Sequence, residues 1–89
     1  MLRITQVSHT PALVTLKVEG RVAADWVPLL ERECVQHIDR GRVVRLDFSA
    51  VSSIDGEGLA MLRKLATSHV EIVNASPFIQ ALLAGESPR

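Results

Sequence analysis

Every strand-like segment of this chain alternates apolar with polar residues, and none is apolar throughout. Leu2 and Ile4 alternate with Arg3 and Thr5, and Val14, Leu16 and Val18 with Thr15 and Lys17. Val44, Leu46 and Phe48 alternate with Arg45 and Asp47. A period of two sends one set of side chains to each face of a sheet. A sheet sandwiched between helices needs strands that are apolar on both faces. The pattern therefore predicts two layers, with helices over one face of the sheet only. Thr15, Lys17, Arg45, Asp47 and Glu71 would form the other face, which reads first as a solvated surface of mixed charge and second as a partner surface.

The segments between the strands supply the helices. Ser8-His9-Thr10-Pro11 is turn chemistry, so the strands over 2–7 and 12–19 should form an antiparallel hairpin that ends at Gly20. Asp25 is placed to cap a helix of about four turns, with Pro28 in its first turn. Trp26, Val27, Leu30, Cys34 and Ile38 form the apolar arc of that helix, and Arg40-Gly41 closes it. The strand over 43–48 follows, so the unit is a βαβ crossover with parallel strands. Ser49 to Ile54 reads as a connector. Asp55 caps a second helix with Leu59, Leu62, Leu65 and Ala66 inward, running to about Ser68. A short strand over 70–73 precedes a last helix, with Ser76 as its cap, Pro77 at its first position, and Phe78, Ile79, Leu82 and Leu83 along it. The expected order is β-β-α-β-α-β-α: an α/β fold with a mixed four-stranded sheet. Residues 1–84 should form a single domain and 85–89 a flexible tail. Leu46 and Leu62 are expected in the core.

Composition limits the function classes. Eighty-nine residues make one modest core, with roughly 64% of the unfolded surface buried on folding. Ten basic residues balance ten acidic ones, which argues against a nucleic-acid binder. One cysteine allows neither an internal disulfide nor an all-cysteine metal site. No apolar run reaches the length of a signal peptide core or a membrane span, and the expected setting is a reduced cytoplasm. Asn74-Ala75-Ser76 spells a glycosylation sequon; with Pro77 next and no secretory signal it reads as chance.

Catalytic constellations are thin. Cys34 and His37 stand three apart on one helix, but two ligands do not make a metal site, so they read as a buried structural cysteine and a histidine at the rim. No nucleophile elbow is present. Asp47 and Asp55 bracket a connector in a chain with little room for a substrate cleft. No catalytic residue, cofactor or metal is assigned. The unusual stretch is Ser52-Ser53-Ile54-Asp55-Gly56-Glu57-Gly58-Leu59, where two glycines open a helix at a cost of roughly 1 kcal/mol each relative to alanine. Asp55 and Glu57 would repel a phosphate there, and no lysine follows as a P-loop requires.

The segment from Val43 through Leu46-Asp47 to Ile54-Asp55-Gly56-Glu57-Gly58-Leu59 resembles the core signature of STAS domains, the family of bacterial anti-sigma factor antagonists. In that signature a hydrophobic strand ends in Leu-Asp, and Ile-Asp-x-x-Gly-Leu opens a helix. Val18-Glu19-Gly20-Arg21 resembles the family's strand-glycine turn, Asp25 the start of its first helix, and 70–77 its last strand and loop. The resemblance implies a non-enzymatic protein-interaction module. In such antagonists a serine or threonine directly after the motif's aspartate is phosphorylated by a kinase-like anti-sigma partner. Gly56 stands at that position, so the usual phosphoacceptor is absent; Ser52 and Ser53 precede the aspartate.

The residues expected to meet a partner are Ser53, Asp55, Gly56, Glu57, Gly58 and Ser76. The partner would be an anti-sigma factor of the kinase-like type. The alternative is a small accessory subunit docking on the ATPase of a bacterial ABC lipid-transport system. Self-association is left open.

Overall fold

In the computed structural model, residues 2–66 and 69–84 are described. The elements are β1 (Leu2–His9), β2 (Leu13–Val22), α1 (Val27–Asp39), β3 (Val43–Ile54), α2 (Gly56–Ala66), β4 (Val70–Val73) and α3 (Pro77–Leu83). They follow the expected order. The four strands lie side by side as β1-β2-β3-β4. β1 pairs antiparallel with β2, and β2, β3 and β4 run parallel. Two β-α-β steps in the same direction, each right-handed, put α1 and α2 on the same face of the sheet.

The alternation decides which face is covered. Val14, Leu16, Val18, Val22, Val44, Leu46, Phe48 and Val70 are all buried on the helix side. Leu30 and Cys34 of α1 and Met61, Leu62 and Leu65 of α2 close over them. Met61 lies outside the expected arc yet is buried, whereas Leu59, within it, is only half-buried. On the opposite face Arg45 and Glu71 sit in register on β3 and β4 and form an ion pair at 3.4 Å. Both side chains are about half-exposed, so the pair contributes at most about 1 kcal/mol. Beside it Asp47 Oδ1 accepts from the Ser49 N–H at 2.9 Å and from Asn74 Nδ2 at 3.2 Å. Those bonds, the Ser49 backbone first, hold the Asp47 carboxyl below its ordinary pKa.

Several boundaries differ from the sequence expectation. β1 continues to His9 past a bulge at Val7, where the register jumps from Gln6↔Leu16 to Ser8↔Thr15. β2 does not end at Gly20 but runs through it at φ 98° to Val22. The proposed connector 49–54 is strand: Ala50, Val51, Ser53 and Ile54 pair with Glu19, Gly20, Arg21 and Val22. Its sequence carries too little alternation to announce a strand; the ladder offered by β2 makes it one. The register skips twice along this ribbon, and a left-handed glycine inside a strand is a usual way to accommodate such a skip. Asp25 does not cap α1. Trp26 holds the cap position with no side-chain bond, and the Trp26 and Val27 N–H groups turn back to the Ala23 carbonyl. Phe78 points to solvent at 61% exposure, while Ile79 faces the core. The expected extension of α2 to Ser68 and the tail 85–89 lie outside the described residues.

Other details match. Gly41 stands at φ 78°, just past the Arg40 C-cap of α1. Ser76 caps α3, its Oγ accepting from the Ile79 N–H at 3.2 Å, with Pro77 next. Leu46 and Leu62 are fully buried.

Candidate functional site

Because β2 and β3 are parallel and finish level, Val22 opposite Ile54, the turns that follow them meet at one end of the sheet. Asp55 sits where they join. Its N–H donates to the Val22 carbonyl at 3.0 Å, which continues the strand ladder by one bond. Its carbonyl accepts from the Leu59 N–H at 2.9 Å, the first turn of α2. Its carboxylate divides its work: Oδ1 accepts from the Gly58 N–H and Oδ2 from the Ala24 N–H, both at 2.8 Å. Asp55 is thus the cap of α2 and also the tie that holds the β2–α1 turn. Both carboxylate oxygens are occupied in structural bonds, which gives this group a positioning task rather than an acid-base one.

The two glycines of the motif differ. A Cβ on Gly58 would stand 2.6 Å from the Val22 carbonyl oxygen and 2.9 Å from Val22 Cγ1, so only glycine lets α2 approach β2 this closely. A Cβ on Gly56 would meet nothing within 4 Å. Gly56 is exposed, as is Glu57 beside it. Close packing therefore requires glycine at Gly58 alone. Gly56 leaves the first turn of α2 bare. Glu57 adds a carboxylate to that turn, where negative charge favours the helix by about 0.3–1 kcal/mol.

The flanking serines separate as well. Ser52 Oγ donates to the Gly20 carbonyl at 3.1 Å and ties β3 to the kink in β2. Ser53 is exposed and stands across the ladder from exposed Arg21. Ser76 lies three residues past the end of β4 and caps α3. β4 ends with Val73 opposite Asp47, so residues 48–54, roughly 20 Å of strand path at about 3.3 Å per residue, separate that level from the start of α2. Ser53, Asp55, Gly56, Glu57 and Gly58 share the end of β3 and the start of α2, and Ser76 is the cap of α3. Sequence reasoning missed the contribution of Val22 and Ala24, whose hydrogen bonds to Asp55 run through backbone atoms and carry no side-chain signal.

Cys34 and His37 are absorbed in packing. Burial, reinforced by Glu33 and Glu31, pushes the Cys34 thiol up to about 12, so it stays protonated. His37 is buried rather than at the rim, at 8% exposure, and its Nδ1 lies 3.2 Å from Arg42 Nη1. A guanidinium only donates, so this nitrogen accepts and the ring is neutral. Burial first and Arg42 second hold its pKa below the ordinary value. Among the described residues no three His, Cys, Asp or Glu side chains converge as metal ligands, and no helix is long and apolar enough to cross a membrane.

Comparison with known proteins agrees with this architecture. The family model described as Mlab, STAS domain matches residues 5–85. No curated protein matches the chain in sequence. Among solved structures, that of the anti-sigma factor antagonist SpoIIAA in its unphosphorylated form superposes with a TM-score of 0.72. The match covers 92% of this chain and 82% of that one at 14% identity, a likeness of fold.

Proposed function

This chain belongs to the STAS domain family, and from that membership and the bare start of α2 we propose that it is a non-enzymatic protein-interaction module, a regulator of the anti-sigma-factor-antagonist type. Its docking surface is the end of the sheet where Ser53, Asp55, Gly56, Glu57 and Gly58 meet. Asp55 fixes the two turns, Gly58 seats the helix, and Gly56 and Glu57 face the partner. The partner class is an anti-sigma factor of the kinase-like type, and the setting is cytoplasmic. The observation that carries the reading is Gly56: the position after the motif's aspartate has room for a side chain and has no hydroxyl. Phosphate at such a position would add roughly −1.5 to −2 charge and oppose docking. This chain cannot receive it there, so binding is constitutive.

Glu57 does not imitate that phosphate, because successive residues are about 100° apart around a helix and the two positions face different directions. The test uses the partner recovered from cell extract with the tagged domain. Gly56→Glu should weaken its binding about tenfold or more, and Glu57→Gln should leave it within a few-fold. Tenfold tighter binding by Glu57→Gln, with no effect of Gly56→Glu, would mean that the natural chain is the blocked form.

The same observation favours a second reading. A permanent subunit needs no switch, and a domain without the hydroxyl would suit stable docking on a transporter ATPase. The identity of the recovered partner separates the two.

A further inference from the structure

α3 continues the β-α-β steps of the fold past β4, yet among the described residues no fifth strand follows. It packs against α2, with Ile79 turned into the core. A cleft of about 420 Å³ opens beside β4, walled by Ile72, Ala75, Leu83 and Ala84, with Arg63 and Gln80 at its polar margin. The next strand of such a series would lie in this position, beside β4 and against α3.

The backbone at that edge is suited to receive one. β4 pairs only with β3 among the described residues. The Val44 N–H donates to the His69 carbonyl at 2.8 Å, and in a parallel ladder alternate residues turn their backbone groups to the same neighbour. Glu71 and Val73 therefore face β3, and Val70 and Ile72 turn their N–H and C=O groups to the edge that no strand among the described residues pairs with. Ile72 also lines the cleft with its side chain. An unpaired edge beside an apolar hollow selects a ligand with a backbone of its own, since neither a docked helix nor a small apolar molecule would satisfy those groups. The charge in the wall is cationic. Arg63 donates from Nη2 to the Leu82 carbonyl at 2.7 Å, and its remaining N–H groups can take a carboxylate.

We propose that β4 and α3 form a second docking site, independent of the start of α2, that takes an extended segment of a protein partner as a fifth strand, with small apolar side chains entering the cleft and an acidic residue meeting Arg63.

The probe is a random peptide library displayed on phage and selected on the folded domain. Enriched peptides should alternate apolar residues and carry an Asp or Glu. The synthetic form of the most enriched one should shift the backbone amide resonances of Val70 and Ile72. Ala84→Glu, at an exposed position in the wall, should weaken that peptide about tenfold or more while leaving the thermal melt unchanged. Arg63→Gln should remove the acidic preference and keep the apolar one. Gly56→Glu, which disables the site proposed above, should leave this binding as it was, so the two proposals fail separately. Absence of enrichment, resonance shifts confined to the start of α2, binding indifferent to Ala84→Glu, or a dimer of the domain that Ala84→Glu dissolves would each overturn the proposal.

Discussion

The starts of α1 and α2 invite the same reading and are built differently. Each is preceded by an aspartate, Asp25 in one and Asp55 in the other, and each follows a parallel strand. Asp55 caps its helix and holds the neighbouring turn through Ala24. Asp25 is exposed and makes no cap, and α1 begins instead on a backbone turn closed by the Ala23 carbonyl. The difference lies in what stands opposite. Asp55 leaves β3 beside Val22 and Ala24, so its backbone is fixed by the ladder and its carboxylate meets two N–H groups at once. Asp25 lies inside the turn that Asp55 holds. One carboxylate organises both helix starts, and the second is left spare.

The largest effects should ignore this difference. Leu30 of α1 and Leu62 of α2 are both fully buried. Leu→Ala at either should cost about 2–5 kcal/mol in urea melts. A change below about 1 kcal/mol at one of them would show that the two helix bodies, and not only their starts, are unequally seated.

The glycines sharpen the comparison within α2. Gly58→Ala must push the helix off the Val22 carbonyl and should cost about 1–3 kcal/mol. Gly56→Ala meets open space and should be neutral or stabilising by up to about 1 kcal/mol. Equal effects in thermal denaturation would refute the assignment of packing to one glycine and openness to the other.

The aspartates come next. Asp55→Ala removes a cap and orphans the Ala24 N–H, and should cost about 1–2 kcal/mol. Asp25→Ala should stay within about 0.5 kcal/mol. Hydrogen exchange at the Ala24 amide gives a second readout, quickening in the Asp55 variant only.

The smallest effect lies at the far end of α1. The native pKa of His37 is below its ordinary value, so the unfolded chain binds the proton more readily. Its contribution to stability is complete above about pH 6.5, the ordinary histidine value, and declines as the pH falls from there toward the native pKa. Asp47 shifts downward in the same sense, but its contribution is lost only below the ordinary carboxylate range. Urea midpoints between neutral and mildly acid pH should therefore fall less in His37→Gln, which keeps an acceptor for Arg42, than in the parent. An unchanged slope would mean that His37 does not hold the end of α1 in its neutral form.

The element order, the one-sided sheet and the family signature are all legible in the chain before it folds. Each is written in local periods: alternation of two in the strands, apolar arcs in the helices, and Ser76-Pro77 at the head of α3. The sequence also marked Asp55 as a cap, because a helix N-terminus accepts a carboxylate wherever one is supplied. Tertiary structure decided the rest. Residues 49–54 became strand because β2 offered them a ladder, and Gly20 stayed inside β2 because the paired ribbon absorbs a left-handed residue at a register skip. The two glycines, alike in sequence, divided into one that packs and one that stands open. That division depends on where Val22 lies, and a pairing between residues more than thirty positions apart leaves no trace in local pattern.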